Sequence, residues 1–489
     1  MNMLRGSAWA VAMRWGIRLI GLASVVILAR LLSPEDFGVA AMGALTIGFI
    51  STFSELGVQM LLIREQNAGR DDCDTAWTLK ILQGIFIAVL LVSIAPLAAR
   101  YFGDPRVVEV LYVLSVGAVF EGARNIGMVL ARKELDFAKD FRFNVYVRLI
   151  SFGVTVSLAF GLRSYWALVV GQVLSALISI PLSFRMHAYR PRFSLVGARK
   201  YLRFSASIVP FQFGRYLAKK VDALVVGGYS GTQQLGVYNV ASDLSAMLTQ
   251  EILAPLGRGL MPNYAKLNHD PEQLAVAFGH VLRTSVAVVL PLGLGLSVVA
   301  ADFVGLVLGD QWGAVVPLLR LLAVYSMLVA LIHIMSSQIL IVAGYERTSA
   351  VLTWVRLAIM IPIVIAGARG WGVEGAAAGA LASAAIAFPL AVIVLVKSIP
   401  LSPRTVVSAY WRPCAAALIM AVIANRLAAG IDYSPFVRLL ISASVGATAY
   451  VAALFGLWVI SGRPRGIEQV VVDYVSAKRA GAASAGESD

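Results

Sequence analysis

Residues 81–99 read ILQGIFIAVLLVSIAPLAA, a run of nineteen residues without a charged side chain. A helix of about 20 apolar residues crosses the roughly 30 Å hydrocarbon core of a bilayer. A lipid-exposed backbone must satisfy its hydrogen bonds within its own segment, which favours helices. Similar apolar runs recur from the first residues to about Ile460. The sequence therefore predicts an all-α, polytopic membrane protein rather than soluble domains with one anchor.

The composition agrees with a membrane-embedded chain. Of its 489 residues, 59% are hydrophobic and 14% are charged, whereas soluble domains have about 25% charged residues. The formal net charge is +14, but the basic residues lie in short loops and inside apolar runs, so we exclude nucleic acid as a partner. Cys73 and Cys414 form no metal-binding or redox spacing. We therefore expect no disulfide, no metal and no cofactor.

Glycine, proline and acidic residues divide the apolar sequence into about 14 transmembrane helices. The predicted spans are 8–31, 38–61, 76–99, 107–130, 143–160, 165–184, 205–229, 235–256, 276–300, 315–342, 348–367, 373–396, 409–428 and 436–460. The N-terminal run shows no cleavage site of a removable signal. Loops on one side hold 23 Lys and Arg residues and loops on the other hold 7. Because basic residues concentrate in cytoplasmic loops, we expect both termini in the cytoplasm.

A weak internal repeat divides the predicted helices into two lobes. Phe37-Gly38-Val39 opens the second span, and Leu235-Gly236-Val237 opens the eighth, 198 residues later. Many transporters are built from such repeats, with the substrate held between them. The repeat predicts two pseudo-symmetric six-helix lobes plus two C-terminal helices. The predicted domains are an N-lobe (1–200, helices 1–6), a C-lobe (201–400, helices 7–12), helices 13 and 14 (401–460) and a cytoplasmic tail (461–489).

Eleven basic residues lie inside the predicted spans, where a charge costs about 2.5–3.5 kcal/mol on insertion scales. They are Arg14, Arg18, Lys80, Arg124, Arg148, Arg215, Lys219, Lys220, Arg283, Arg320 and Arg356. A chain that retains them is expected to shelter several in an aqueous cavity. Guanidinium groups suit phosphate because they form paired hydrogen bonds to it. The excess of basic over acidic residues within the spans indicates an anionic substrate.

Three stretches of the sequence carry a family resemblance. They are LARLLSPEDFG at 28–38, Asp222 followed by VVGG at 225–228 and LGVYNVA at 235–241, and LGDQWG at 308–313 leading into PLLRLLA at 317–323. On these motifs the chain resembles the polysaccharide-repeat flippases that export O-antigen and exopolysaccharide units. That family lies within the multidrug/oligosaccharidyl-lipid/polysaccharide exporter superfamily. The resemblance covers about residues 1–460.

The resemblance implies a membrane transporter rather than an enzyme. A member of this family would move undecaprenyl-diphosphate-linked oligosaccharide units across the bacterial inner membrane by alternating access. The products would enter lipopolysaccharide or exopolysaccharide biosynthesis. Its partners would be the lipid-linked oligosaccharide, the bilayer, and the polysaccharide polymerase and glycosyltransferases of the same pathway.

Depth in the membrane and position on a helix face indicate which basic residues contact the substrate. Arg14 and Arg18 lie one turn apart, and Arg18 leads the prediction together with Arg215. Lys219 shares a helix face with Arg215, but it could equally pair with Asp222. The predicted substrate-binding residues are Arg14, Arg18, Arg124, Arg148, Arg215, Lys219, Arg283 and Arg356. For Arg124 and Arg148, contact with lipid headgroups is an equal alternative.

Acidic residues within the spans could couple export to a proton or a sodium ion. The candidates are Glu55, Asp222 and Asp243. A commoner explanation for such residues is neutralisation of a nearby arginine, as for Glu121 three residues before Arg124.

Two other functions stay open at this point. A multidrug-type cation antiporter on the same fold would favour acidic over basic residues within the spans. A polysaccharide polymerase or ligase would need a large outward loop with catalytic residues. The sequence shows short outward loops and no nucleotide-binding motif.

Overall fold

The computed structural model describes residues 20–65, 68–134, 136–247, 270–335, 339–430 and 434–463, with Gly16, Thr249, Glu468 and Gln469 in addition. Within these ranges the chain is mostly helical and contains no β-strand. Nine of its helices are long and apolar enough to cross a membrane. The predicted all-α, polytopic membrane fold is confirmed.

Contacts between Cα atoms divide the chain into two units. Unit 1 comprises Met1–Val240 and Ala368–Ala376, and unit 2 comprises Ala241–Gly367 and Ala377–Asp489. The predicted lobe boundaries at residues 200 and 400 stay a prediction.

Unit 1 is built from helices of unequal length. They are α1 (Ile20–Leu31), α2 (Pro34–Phe53), α3 (Val58–Arg64), α4 (Arg70–Phe102), α5 (Arg106–Gly122), α6 (Gly127–Lys133), α7 (Phe137–Leu162), α8 (Trp166–Met186), α9 (Ala198–Ser230) and α10 (232–247), which continues past the unit boundary. Two predicted spans, 38–61 and 107–130, are each broken into a long and a short helix. The first break contains Gly57 at φ 57°, in the left-handed region that glycine tolerates. The second break, at 123–126, contains Arg124.

The remaining helices lie in unit 2, except for Ala368–Ala376 of α14, which belongs to unit 1. They are α11 (Pro271–Val307), α12 (Val315–His333), α13 (Ile339–Val342), α14 (Glu346–Ser398), α15 (Pro403–Gly430) and α16 (Pro435–Ile460). Helix α11 packs against α12, α15 and α16, and Leu282, Leu331 and Ala416 are fully buried in their shared core. Helix α14 kinks at Trp371 and Gly372, which separates the predicted spans 348–367 and 373–396.

Polar contacts fasten one end of unit 1. Asp36 forms a capping box with Ser33 at the start of α2, and its second oxygen accepts a hydrogen bond from the backbone N–H of Tyr165 at 2.8 Å. The guanidinium of Arg106 lies 2.8 Å from the carboxylate of Asp104 and 2.6 Å from that of Glu35. These bonds hold the first turns of α2, α5 and α8 together.

The opposite end of α4 holds the segment that follows α8. The carboxylate of Asp74 accepts hydrogen bonds from the Tyr189 hydroxyl at 2.7 Å and from the Arg192 backbone N–H at 2.9 Å. The Asn125 backbone N–H, in the break between α5 and α6, donates to the Ser183 hydroxyl at 3.0 Å. The break that carries Arg124 is therefore fixed to α8.

The two triplets of the internal repeat meet within unit 1. A Cβ atom at Gly38 would lie 1.9 Å from the carbonyl oxygen of Thr232, and one at Gly236 would lie 1.9 Å from that of Pro34. Pro34 and Thr232 are 198 residues apart, as are Gly38 and Gly236. Only glycine permits such close backbone approach. The reciprocal contact is what a local twofold relation between α2 and α10 predicts, and it supports the repeat.

Candidate functional site

Unit 1 contains a partly open cavity of about 440 Å³ between α2, α4, α5, α7 and α8. Its wall combines apolar side chains with two arginines, one glutamate and several hydroxyl and amide groups. The lining residues are Ile47, Ser51, Ile87, Leu114, Gly117, Ala118, Glu121, Arg124, Asn144, Val147, Arg148, Ser151, Gln172, Val173, Ser175 and Ala176. Ligand pockets commonly measure about 300–1,000 Å³, with a few polar groups among apolar ones. The cavity therefore has the size and composition of a binding site for a small charged group.

Arg124 is held in the cavity wall by three neighbours. Its Nε donates to the Ser179 hydroxyl at 2.6 Å, and its guanidinium forms an ion pair with Glu121. The guanidinium carbon lies 5.7 Å from the centroid of the Phe143 ring, within the range of a cation–π contact. The predicted Glu121–Arg124 pair is confirmed, and the assignment of Arg124 as a substrate contact stays a prediction.

Arg148 is the second cation of the cavity. Its Nη2 atom lies 3.0 Å from the position that a Cβ would take at Gly21 on α1. Within the described ranges, no hydrogen bond or ion pair joins its guanidinium to another side chain. Its positive charge is therefore available to a ligand, while the charge of Arg124 is shared with Glu121.

The cavity wall carries net positive charge. Two guanidinium groups face one carboxylate in the lining. Lys80, on α4, has Glu121, Glu55 and Arg124 among its charged neighbours. Because a low-dielectric protein interior strengthens such fields, the cavity favours an anion over a cation.

Polar uncharged groups in the wall can bind hydroxyl groups. Asn144, Arg148 and Ser151 follow one another at i, i+4 and i+7 on α7, which places them on one helix face. Gln172 and Ser51 contribute from α8 and α2. Sequence reasoning did not identify these polar residues, although the spacing on α7 was a usable signal. Beside two arginines they suit an anionic group attached to a polyol.

The other predicted substrate contacts lie elsewhere. Arg14 and Arg18, the latter a leading prediction, lie outside the described residues. Arg215 and Lys219 are exposed on α9, with the guanidinium carbon of Arg215 5.7 Å from the Phe211 ring centroid. Neither is among the lining residues of the unit 1 cavity. Their assignment as substrate contacts stays a prediction.

Arg283 and Arg356 belong to unit 2 and are half-buried. Arg283, on α11, has Arg412 and Glu468 as its charged neighbours. Arg412 itself is only 4% exposed and is the one fully buried Lys or Arg of the described chain. The Arg412 guanidinium lies 2.8 Å from the carboxylate of Glu468, which is 56 residues later in the chain.

The three candidate coupling residues have different surroundings. Glu55 lies in the break between α2 and α3, where its carboxylate accepts from the Gly57 backbone N–H at 3.2 Å. Asp222 is buried in unit 1 and accepts a hydrogen bond from the Tyr238 hydroxyl at 2.9 Å. Asp243 is exposed on α10. Their role in ion coupling stays a prediction.

Comparison with known proteins places the chain in a family. The family model described as "Polysaccharide biosynthesis protein" matches residues 27–317. The lipopolysaccharide biosynthesis protein WzxC of Escherichia coli (strain K12) is 26% identical over 419 residues, which cover 84% of each chain. The succinoglycan biosynthesis transport protein ExoT of Rhizobium meliloti (strain 1021) is 25% identical over 323 residues, or 65% of each chain.

Solved structures show the same fold at low sequence identity. The lipid II flippase MurJ in an inward closed conformation superposes with a TM-score of 0.75 at 14% identity, covering 93% of this chain and 99% of that one. An inward-facing multidrug resistance MATE family transporter of the MOP superfamily gives a TM-score of 0.60 at 16% identity, covering 80% and 98%. The family match, the nine membrane-crossing helices of the described chain and this shared fold agree, and the chain is a multi-pass membrane protein that belongs to the polysaccharide biosynthesis protein family.

Proposed function

We propose that this protein is a flippase for undecaprenyl-diphosphate-linked oligosaccharide units. It would work in the bacterial inner membrane by alternating access, with both termini in the cytoplasm. The relatives named for lipopolysaccharide and succinoglycan biosynthesis, and the fold shared with a lipid II flippase, support this class of substrate. The protein acts as a carrier rather than as an enzyme.

The observation that carries the proposal is the positively charged cavity of unit 1. Arg124 and Arg148 both line this cavity, so an incoming diphosphate can bind their guanidinium groups. Asn144, Ser151 and Gln172 can then bind the hydroxyl groups of the first sugar. A volume of about 440 Å³ admits a diphosphate with a small adjoining group, but not a whole oligosaccharide.

The charge balance disfavours the multidrug-type antiporter. A cation site would need an excess of carboxylates, whereas this cavity carries two arginines and one glutamate. The MATE transporters share the fold alone with this chain, at 16% identity or below.

The polymerase and glycosyltransferases of the pathway are proposed partners because they would consume and supply the exported unit.

The test replaces Arg148, whose guanidinium has no ion-pair partner among the described residues. Arg148→Gln should lower export at least about tenfold, because one charge-assisted contact to phosphate is worth roughly 1.5–3 kcal/mol. The readout is the amount of lipid-linked oligosaccharide that reaches the outer face in a strain lacking the native gene. Membrane level and thermal unfolding of the variant should match those of the wild type.

Arg142→Gln is the matched control. Arg142 lies on the same helix, is exposed, and does not line the cavity; its Nε donates to the Ala138 carbonyl oxygen within its own helix. Export by this variant should stay at the wild-type level. If Arg148→Gln is present at the normal level and exports as much as the wild type, the cavity does not bind the substrate during export.

A further inference from the structure

Asn144 lines the unit 1 cavity, and two hydrogen bonds to one residue fix the orientation of its amide group. Its Nδ2 atom donates to the carboxylate of Asp140 at 2.9 Å and to the backbone carbonyl oxygen of Asp140 at 2.8 Å. An ionised carboxylate and a carbonyl oxygen accept hydrogen bonds and cannot donate them. The amide nitrogen must therefore face Asp140, where both of its hydrogens have an acceptor.

Asp140 is in turn held by Arg132. Asp140 lies one turn before Asn144 on α7 and is buried. The Nε atom of Arg132, in the last turn of α6, donates to the Asp140 carboxylate at 2.8 Å. Charge-assisted hydrogen bonds of this kind are shorter and stronger than bonds between neutral groups. The three side chains thus form a chain of hydrogen bonds that ends at the cavity wall.

The oxygen of the Asn144 amide is left for a ligand. Within the part of the chain that the structure describes, no group donates a hydrogen bond to it. Because the nitrogen is bound to Asp140, Asn144 offers the cavity an acceptor and no donor. A ligand group that binds here must bring its own hydrogen.

The neighbouring polar groups of the wall do not impose this polarity. Ser151 and Gln172 also line the cavity, and neither forms a hydrogen bond to another described residue. A hydroxyl group can rotate to donate or to accept, and a free amide can offer either of its ends. Asn144 is therefore the lining residue that can distinguish a hydroxyl group from a group of similar size without a hydrogen.

We propose that Asp140 and Arg132 are positioning residues that fix Asn144 as a hydrogen-bond acceptor for the sugar next to the diphosphate. The inference rests on the proposed flippase function and adds a rule of specificity to it. At one position the first sugar must carry a hydrogen-bond donor, either a hydroxyl group or an amide N–H. An ionised diphosphate has no hydrogen to donate, so Asn144 reads the sugar while the arginines bind the phosphates.

The experiment titrates the purified full-length protein in detergent with soluble analogues of the substrate. The probes are farnesyl diphosphate, farnesyl diphosphate linked to glucose, and analogues in which fluorine replaces each free hydroxyl group of that glucose in turn. Fluorine is close to a hydroxyl group in size but has no hydrogen to donate. One fluorine analogue should bind the wild type about tenfold more weakly than the glucose compound, because it leaves the Asn144 oxygen without a partner.

Two variants assign that difference to Asn144 and Asp140. Asn144→Leu should bind the glucose compound and its fluorine analogue equally, because the acceptor is gone. Asp140→Ala should reduce the difference severalfold, because the amide can then turn its nitrogen toward the cavity. The two sugars carry the same charge, so their ratio is independent of any general effect of the lost carboxylate on anion binding.

Asp136→Asn is the matched control. Asp136 is the N-cap of the same helix and is not among the residues that line the cavity, and asparagine can still cap a helix. This variant should keep the wild-type difference between the two sugars. If Asp140→Ala does not fold, Arg132→Gln takes its place, because it loosens Asp140 and should reduce the difference in the same direction.

The proposal is overturned if every fluorine analogue binds the wild type as tightly as the glucose compound does. It is also overturned if Asn144→Leu keeps the difference, or if Asp140→Ala keeps it in full. Farnesyl diphosphate without a sugar tests the proposed function by itself. If the wild type does not bind this compound, the proposed function fails; if it binds the compound but does not distinguish the sugars, only the role of Asn144 and its positioning residues fails.

Discussion

Each unit holds an ion pair of one arginine and one glutamate, but the surroundings of the two pairs differ. In unit 1, Arg124 and Glu121 line a cavity, and the Glu121 side chain is 53% exposed. In unit 2, Arg412 and Glu468 are almost fully buried. The same charges are therefore accessible in one unit and enclosed in the other.

The difference in burial decides whether a ligand can replace the glutamate of the pair. Glu121 can be replaced in this way, whereas the buried Glu468 cannot. An exposed ion pair contributes about 0–1 kcal/mol, so a ligand phosphate can take the place of Glu121 at little cost. A buried pair costs about 3–5 kcal/mol to break by removal of one partner. We therefore expect substitutions in the cavity to change transport and substitutions at the buried pair to change stability.

The largest expected effect is at the buried pair. Arg412→Gln should destabilise the protein by about 3–5 kcal/mol, because it leaves the Glu468 carboxylate buried without a partner. The double variant Arg412→Gln, Glu468→Gln should recover much of that loss, since it leaves no buried charge in the pair. Thermal and denaturant-induced unfolding of the purified proteins measures both.

If the double variant recovers stability, the loss in Arg412→Gln comes from the unpaired charge of Glu468 rather than from lost side-chain packing. If both variants lose the same stability, the contribution of Arg412 comes from the packing of its side chain. The comparison between the two units would then no longer rest on charge.

A smaller effect on stability is expected at the exposed pair. Glu121→Gln should change the free energy of unfolding by no more than about 1 kcal/mol, because Glu121 is half-exposed. It should also tighten binding of a lipid diphosphate several-fold, since Arg124 no longer shares its charge with a carboxylate. Unfolding and ligand titration on the same sample give both values.

A matched variant makes that result specific. Glu109→Gln removes a carboxylate from the same helix at a position that does not line the cavity. Its ligand affinity should equal that of the wild type. Equal affinities for Glu109→Gln and Glu121→Gln would contradict the role assigned to Glu121.

Much of the fold was predictable because it depends on local sequence. Length and hydropathy indicated the long helices, and the triplets at Gly38 and Gly236, which the repeat related to each other, meet in unit 1. The breaks within predicted spans were missed. They depend on Gly57 at positive φ and on the bond between Asn125 and Ser183, 58 residues apart. A hydropathy pattern does not contain such contacts.

The candidate site was only partly predictable for the same reason. The Glu121–Arg124 pair follows from a spacing of three residues on one chain segment. Whether Arg124 and Arg148 face a cavity or headgroups depends on how α5, α7 and α8 pack. The pair of Arg412 and Glu468 was not predictable, because the two residues are 56 positions apart in the sequence.

The smallest expected effect concerns His187, and it appears as a pH dependence of stability. His187 follows α8, and its Nδ1 accepts a hydrogen bond from the Tyr189 backbone N–H at 3.1 Å. Burial, together with the positive charges of Lys139 and Arg190, lowers the pKa of His187 below its ordinary value of 6.5, against the opposing charges of Glu134 and Asp136. The unfolded chain therefore takes up the proton first as the pH falls.

The stability that neutral His187 contributes is fully present above pH 6.5 and is lost as the pH falls from that value through the folded-state pKa. His187→Gln should unfold with a weaker pH dependence than the wild type between about pH 7.5 and 5.5. Thermal unfolding across that range measures the difference. Parallel curves of stability against pH for His187→Gln and the wild type would show that the stability of unit 1 does not depend on the protonation of His187.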